Sequence, residues 1–142
     1  MEEGIKIYGS DCENSTELPV SEERIAAGFP SPADDFTSLK LDLNRELIKN
    51  PESTFYARVS GLSMIDDGIN DGDLLVIDKS IEPREGCLAV CYIDGEFTLK
   101  RFSKRNGYGL LIPANKNFEP IKVTADNDFL IWGVVTYVIK HV

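Results

Sequence analysis

The chain has 142 residues, 42% of them hydrophobic and 27% charged, which fits one ordinary globular domain. Its formal net charge of −9 argues against direct DNA binding, because such binding depends on lysine and arginine side chains that neutralise phosphates. No apolar run reaches the roughly 20 residues of a membrane helix and no signal peptide is recognisable, so we expect a cytoplasmic protein with protein partners.

Residues 1–35 form a polar, acidic segment without the 3.6-residue apolar period of an amphipathic helix. The sequence therefore predicts a flexible N-terminal arm, followed by one domain over 36–142. Within the arm, "IKIY" can pair as a strand when the arm docks. "IAAGFPSP" (25–32) combines small residues with two prolines, and it is predicted to be extended rather than helical. Taken alone, this second stretch would be interpreted as a linker.

A short helix is predicted over about 42–49. Its candidate N-cap is Asp42, and Pro51 follows its end. Its apolar residues have helical spacing: Leu43, Leu47 and Ile48.

Strand patterns dominate the remainder of the chain, as short β-branched and aromatic runs bounded by turn residues. These runs are "FYARVS", "DGDLLVID", "CLAVCYI", "EFTLKRF", "YGLLIP", "EPIKVT" and "DFLIWGVVTYVIKHV". Asp94-Gly95, between the third and fourth runs, predicts a hairpin with a type I′ turn, because such turns need positive φ. Gly133 in the last run predicts a bulge or bend. The expected fold class is therefore mostly β, a compact and strongly curved sheet with one short helix.

The cysteines, the histidine and a group of aspartates give no clear metal site. The three cysteines, Cys12, Cys87 and Cys91, have neither zinc nor CxxC redox spacing, and Cys87 and Cys91 are interpreted as small core or surface residues of one strand face. His141 is the single histidine, so a Ser-His-Asp triad would require the C-terminal tail to fold back. Four aspartates have oxygen ligands but not the spacing of an EF-hand loop: Asp66, Asp67, Asp71 and Asp73. We expect no metal and no other cofactor.

The "GLSM" segment between the first two predicted strands is the candidate catalytic loop. Ser63 lies beyond a flexible glycine, where backbone N–H groups can also face a developing oxyanion. An ordinary polar, turn-rich loop is the plainer interpretation. If Ser63 is a nucleophile, its base must be a lysine or a carboxylate, since histidine is nearly unavailable, and Ser-Lys pairs are a known variant.

Lys100 is the best candidate for that base. A lysine base must lose its proton near neutral pH, and removal from water disfavours the ammonium form, so a lysine inside a strand is favoured over one in a loop. Strand alternation places Lys100 with Thr98 and Phe102, so its shielding from water must come from across the site or from bound substrate. The alternative is an ordinary strand lysine whose amine reaches water. Other lysines occupy turn-like polar contexts: Lys79, Lys104 and Lys116.

Three ordered blocks, "VSGLSMIDDGINDGDLLVID", "DGEFTLKRF" and "LLIPANKNFEPI", resemble the LexA/UmuD family of self-cleaving Ser-Lys peptidases. The resemblance runs from about Ala27 to the end of the chain and includes the closing "WGVVTYVI". It implies that Ser63 is the nucleophile, that Lys100 is the general base, and that backbone N–H groups of Leu62 and Ser63 hold the oxyanion. It also implies self-cleavage of the Ala27–Gly28 bond.

The chemistry of "AAGFPSPADD" agrees with that role. Alanine and glycine give little hindrance to an approaching nucleophile, and Pro30 and Pro32 block helix formation. An extended segment can add to a sheet edge over the two catalytic residues and shield Lys100 from water. A substrate held in the same chain, or in a partner chain, makes the reaction effectively intramolecular.

The segment before the cleavage site favours the UmuD branch of this family. The segment before the bond is acidic and only 27 residues long, whereas LexA and phage repressors carry a helix-turn-helix domain there. The resemblance then implies a homodimer whose self-cleavage is stimulated by RecA filaments in the SOS response. It also implies that the trimmed form joins a UmuC-type Y-family DNA polymerase in error-prone translesion synthesis. The alternatives are a non-cleaving interaction module, a LexA-like repressor C-terminal domain, and a signal-peptidase-like enzyme, which would need a membrane anchor.

Overall fold

The computed structural model describes residues 4–10, 15–20, 27–28 and 40–142. They fall into two compact units, one made of Met1–Ser10 with Asn50–Val142 and the other of Asp11–Lys49. The predicted boundary between an arm and a domain at residue 35 stays a prediction.

The first unit is built around one eight-stranded sheet in which every neighbouring pair of strands is antiparallel. Numbered in chain order along the whole molecule, its strands are β1 (Gly4–Gly9), β4 (Thr54–Ser60), β5 (Leu74–Asp78), β6 (Leu88–Ile93), β7 (Glu96–Arg105), β8 (Tyr108–Ile112), β9 (Ile121–Val123) and β10 (Phe129–Ile139). Their order across the sheet is β1-β4-β5-β10-β6-β7-β8-β9. The mostly β fold class and the strong curvature expected from the sequence are confirmed.

The second unit contains a two-stranded antiparallel sheet and a short helix: β2 (Glu17–Pro19), β3 (Lys40–Asp42) and α1 (Leu43–Leu47). The predicted N-cap is confirmed, because Asp42 Oδ1 accepts a hydrogen bond from the Asn44 N–H at 3.1 Å. The predicted end at residue 49 is wrong, since the backbone of Ile48 is extended, with φ −112° and ψ 103°. No helix in the described parts of the chain is long and apolar enough to cross a membrane.

Buried side chains lie on both faces of the sheet in the first unit. In β6, Leu88 and Val90 belong to one apolar cluster, while Ala89 and Cys91 belong to the other. Because successive residues of a strand point to opposite faces, this explains why the sequence of β6 is continuously apolar rather than alternating. The larger cluster also contains residues that flank Ser63 in sequence, including Val59 and Met64.

The two special turns predicted from glycine positions are present. Asp94 and Gly95 join β6 to β7 with φ values of 47° and 91°, as a type I′ turn requires. The pairing of β10 with β6 shifts register between Ile131 and Gly133, which is the predicted bulge. A glycine is required there because a Cβ at Gly133 would lie 2.5 Å from Ile77 Cγ2.

A buried carboxylate ties the turn before β4 to the end of β5. Asp78 accepts hydrogen bonds from Asn50 Nδ2 at 2.8 Å, from Ser53 Oγ at 2.9 Å, and from the N–H and Oγ of Ser80 at 2.8 and 2.6 Å. Burial alone would raise the pKa of Asp78, but these hydrogen bonds outweigh it and hold the pKa below its usual value. The ionised carboxylate therefore anchors the start of β4, the strand that leads to Ser63.

Candidate active site

Ser63 lies in the turn that follows β4. Gly61 opens this turn with a φ of 110°, a backbone conformation that favours glycine, and its N–H donates to Asp71 Oδ1 at 2.9 Å. A short 3-10 turn, Ile65–Asp67, follows. Ser63 is only 3% exposed, so the turn holds the hydroxyl inside the protein rather than in solvent.

Lys100 lies in the middle of β7 and is 2% exposed. Its Nζ donates hydrogen bonds to Ser63 Oγ at 2.9 Å and to Thr98 Oγ1 at 2.8 Å. The structure thus brings together the two side chains that the sequence singled out, from positions 37 residues apart. The distance is within the range for proton transfer between a nucleophile and its base.

Thr98 is a contact of Lys100 to which the sequence analysis assigned no role. Residues two apart in a strand point to the same side, so Thr98 and Lys100 share a face of β7. The 2.8 Å hydrogen bond between them restrains the amine at a fixed point beside Ser63. A threonine two positions before a strand lysine is therefore the signal that would have identified this partner.

A loop after β8 holds the backbone around Ser63. The Ala114 N–H donates to the Ser63 carbonyl at 2.8 Å, and the Ala114 carbonyl accepts from the Asp66 N–H at 2.7 Å. Asn115 Nδ2 donates to the Leu62 carbonyl at 2.8 Å. These contacts explain why the "PANKNFEP" block accompanies the "GLSM" block, although the sequence analysis gave its residues no individual roles.

The other groups considered from the sequence lie elsewhere. The alternative lysines and the histidine are exposed: Lys79, Lys104, Lys116 and His141. Of the loop aspartates, Asp71 accepts from Gly61, Asp73 pairs with Lys140, and Asp67 pairs with Arg101 at 3.0 Å. The described residues contain no group of three or more His, Cys, Asp or Glu that could hold a metal ion.

Two of the cysteines are free thiols at the smaller apolar cluster, the one that contains Ala89. Cys91 is fully buried and Cys87 is partly buried beside it. Burial, with a smaller contribution from Cys87, raises the pKa of Cys91 to about 12. Cys91 is therefore a core residue with an unreactive thiol, and Cys12 lies outside the described residues.

The predicted scissile bond belongs to the second unit. Ala27 and Gly28 form an exposed bend, and apart from the two adjoining residues the described parts of the chain place no atom within 4 Å of the position that a Cβ on Gly28 would take. The predicted extended conformation of 25–32 falls otherwise outside the described residues. The approach of this bond to Ser63 stays a prediction, as does the oxyanion role of the Leu62 and Ser63 N–H groups.

The edge of β4 that leads to Ser63 is covered by β1, so the "IKIY" stretch is a strand. Gly4 pairs with Ser60, and Ile5 pairs with Val59. Ile5 lines a small recess together with residues of β4, the catalytic turn and β7: Val59, Ser60, Gly61, Ser63, Met64 and Leu99.

Residues 19–136 match the protein family described as Peptidase S24-like. The chain is 42% identical over 126 residues to the protein MucA of Salmonella typhimurium, covering 87% of this chain and 86% of that protein. It is 40% identical over 129 residues to the protein ImpA of Shigella flexneri, covering 87% and 83%. It is 39% identical over 140 residues to LexA repressor 1 of Xanthomonas oryzae pv. oryzae, covering 97% and 68%. The family match includes the Ala27–Gly28 bond, Ser63 and Lys100.

Proposed function

The chain belongs to the Peptidase S24-like family, and we propose that it is a UmuD-like serine endopeptidase that cleaves its own Ala27–Gly28 bond. The observation that carries this proposal is the 2.9 Å contact between Lys100 Nζ and Ser63 Oγ in a buried site. A serine hydroxyl is a weak nucleophile until a base removes its proton. A neutral lysine amine at this distance supplies that base.

In the first half of the proposed reaction, Ser63 Oγ attacks the carbonyl carbon of Ala27 while its proton passes to Lys100 Nζ. The carbonyl oxygen becomes an oxyanion, which the N–H groups of Leu62 and Ser63 stabilise. The C–N bond then breaks, and the Gly28 nitrogen leaves with the proton held by Lys100. An ester between Ala27 and Ser63 remains.

In the second half, water attacks the ester carbonyl and gives a proton to Lys100. The Ser63–Ala27 ester bond breaks, Ser63 recovers its proton, and Ala27 becomes a C-terminal carboxylate. Thr98 supports both halves, because its hydrogen bond keeps the amine beside the hydroxyl as the proton moves. No metal or cofactor is needed for this sequence of steps.

The similarity to MucA and ImpA supports a UmuD-like role for the cleaved chain. We propose that the chain acts as a homodimer, that RecA filaments stimulate its self-cleavage during the SOS response, and that the trimmed chain becomes a regulatory subunit of a UmuC-type polymerase. In this role, the cut converts the chain from an uncleaved form into one that supports error-prone translesion synthesis. The peptidase chemistry would then be a switch used once per molecule.

The proposal is tested by incubating the purified chain at mildly alkaline pH, where more of any lysine amine is neutral, and following its mass. We expect slow conversion into fragments 1–27 and 28–142, faster as the pH rises. The Ser63→Ala variant is expected to stay intact. Ser80→Ala makes the same change at an exposed position outside the site; it removes only one of the four hydrogen bonds to Asp78, so this variant should be cut at close to the wild-type rate.

Two outcomes would contradict the proposal. A wild-type chain that stays intact, even with activated RecA filaments, would leave the interaction module as its function. A cut that persists in Ser63→Ala would show that another group is the nucleophile.

A further inference from the structure

Asn115 joins the catalytic turn to its own loop through the two ends of its side-chain amide. Nδ2 donates to the Leu62 carbonyl at 2.8 Å, and Oδ1 accepts from the Asn117 N–H at 3.0 Å. The residue is only 8% exposed. Because one partner is an acceptor and the other a donor, the orientation of the amide is fixed.

The Leu62 carbonyl is held by two hydrogen bonds. Besides Asn115, the Ile65 N–H donates to it at 3.3 Å, so both lone pairs of the oxygen are engaged. The Leu62 C=O and the Ser63 N–H belong to one planar trans peptide, in which they point in opposite directions. Fixing the carbonyl on the Asn115 side therefore fixes the direction of the Ser63 N–H on the other side.

We propose that Asn115 is a positioning residue for the reaction, because it orients the peptide unit whose N–H stabilises the oxyanion. This inference rests on the proposed function. The neighbouring contact of Ala114 with the Ser63 carbonyl, at 2.8 Å, holds the next peptide unit of the same turn. Oxyanion donors are effective only when they are held in place before the reaction, which is what a buried, doubly bonded amide provides.

The test compares Asn115→Ala with Asn117→Ala, an exposed asparagine of the same loop whose backbone N–H survives the change. Self-cleavage is measured at a temperature where all chains are fully folded. We expect Asn115→Ala to lower the first-order rate roughly 10- to 100-fold at every pH, as small displacements of catalytic groups do. The midpoint of the pH–rate profile should not move, because the contact between Lys100 and Ser63 is retained.

Asn115→Asp is the second variant, for use if the alanine variant does not fold. It keeps the acceptor for Asn117 but places a carboxylate oxygen against the Leu62 carbonyl, so the rate should fall as well. Asn115 variants that are cut as fast as Asn117→Ala, or that change only the unfolding temperature, would overturn the inference. A wild-type chain that is not cut would instead contradict the proposed function.

The strand β1 occupies the edge of β4 beside the catalytic turn. Val59 directs its N–H and C=O toward Asp73 and Gly72, with both distances 2.8 Å. Because hydrogen-bonding direction alternates along a strand, Arg58 directs its own groups to the opposite side, where Lys6 is its partner in β1. Backbone hydrogen bonds between Lys6 and Arg58 therefore help to close this edge.

We infer that β1 competes with the cleavage segment for the edge of β4 and so restrains self-cleavage. This inference also rests on the proposed function. An extended substrate adds to a sheet edge, and β4 is the strand that leads directly into the turn of Ser63. A segment added outside β1 would lie about 4.8 Å farther from that turn, one strand spacing away. Ile5 of β1 also lines the recess beside Ser63.

Lys6→Pro tests this inference with Lys6→Ala as its control. Both changes remove the exposed Lys6 side chain, but only proline also removes the backbone N–H that faces Arg58. We expect Lys6→Pro to be cut at least about fivefold faster than Lys6→Ala, from the loss of one hydrogen bond that keeps β1 in place. A synthetic peptide of residues 2–10, added in excess, should slow the Lys6→Pro variant again.

Equal rates for the two Lys6 variants, or no effect of the peptide, would overturn the competition by β1. If neither variant nor the wild type is cut, the proposed function itself fails. The two failures are therefore distinguishable in one set of reactions.

Discussion

Replacing Lys100 by methionine is expected to lower the rate of self-cleavage by roughly 10²- to 10⁴-fold, the usual contribution of a general base. Methionine has a similar length and fits an apolar setting, but it has no lone pair that can take the Ser63 proton. Lys100→Arg should be equally inactive, because a guanidinium does not lose its proton in proteins. The arginine variant therefore separates the need for a base from the need for a positive charge.

The control for these variants is Lys104→Met, which makes the same change at an exposed position of the same strand. It should be cut at the wild-type rate. All chains are compared by the appearance of the 28–142 fragment and by their free energy of unfolding. For Lys100→Met we expect the free energy of unfolding to change by only about 1 kcal/mol, since the buried amine loses two hydrogen bonds but no longer needs desolvation.

A Lys100→Met chain that is cut like the wild type would show that another group accepts the Ser63 proton. A Lys100→Met chain that does not fold would show that the amine is mainly a structural group. In that case Lys100→Arg and the pH–rate profile of the wild type remain as tests of its role as a base.

The strands of the eight-stranded sheet and the two glycine turns were predictable because their signals are local, whereas β2 and β3 were not predicted. Asp94-Gly95 and Gly133 each impose a backbone requirement that can be read without knowing the partner strand. The end of α1 was not predictable in the same way. Its last residues have helical spacing, yet Ile48 is buried with an extended backbone, and tertiary burial overrides a short helical pattern.

The site was only partly predictable. The resemblance to the LexA/UmuD family is confirmed by the match to the Peptidase S24-like family. Residue type and strand context alone make Ser63 and Lys100 candidates, and the resemblance adds the roles of nucleophile and base, which stay predictions. Asn115 was missed because its partner, the Leu62 carbonyl, is 53 residues away in sequence and is a backbone atom. The residue types of the "GLSM" block do not indicate which side chain will donate a hydrogen bond to their backbone carbonyl groups.

The β1 strand illustrates a different limit. The sequence predicted that "IKIY" can form a strand, but it could not predict which sheet edge that strand would cover. Pairing with β4 depends on a register that places Ile5 opposite Val59 and at the wall of the recess beside Ser63. Such register is set by packing against both strands and is invisible in a stretch of four residues.

Gly133→Ala is expected to destabilise the first unit by roughly 1–3 kcal/mol, the usual cost of overpacking a core. The added Cβ would lie 2.5 Å from Ile77 Cγ2, a distance at which one of the two atoms must move. Ile77 is fully buried in β5, and a β-branched side chain has little rotamer freedom, so the strain spreads into the pairing of β5 with β10. Gly9→Ala is the matched control and should be nearly neutral, because the described residues other than its chain neighbours place no atom within 4 Å of the added Cβ.

The identity of the clashing atom can be tested with second substitutions at Ile77. Ile77→Leu removes the Cγ2 methyl and should recover part of the stability of Gly133→Ala, whereas Ile77→Val retains both γ carbons and should not. Chemical denaturation of the single and double variants gives the coupling energy, which should be clearly favourable only for the leucine pair. Equal coupling for leucine and valine would mean that the glycine is required by the bulge itself and not by Ile77. In the sheet, β10 lies between β5 and β6, and β6 pairs with β7, the strand that carries Lys100. If the bulge in β10 sets the position of β7, Gly133→Ala should therefore also slow self-cleavage.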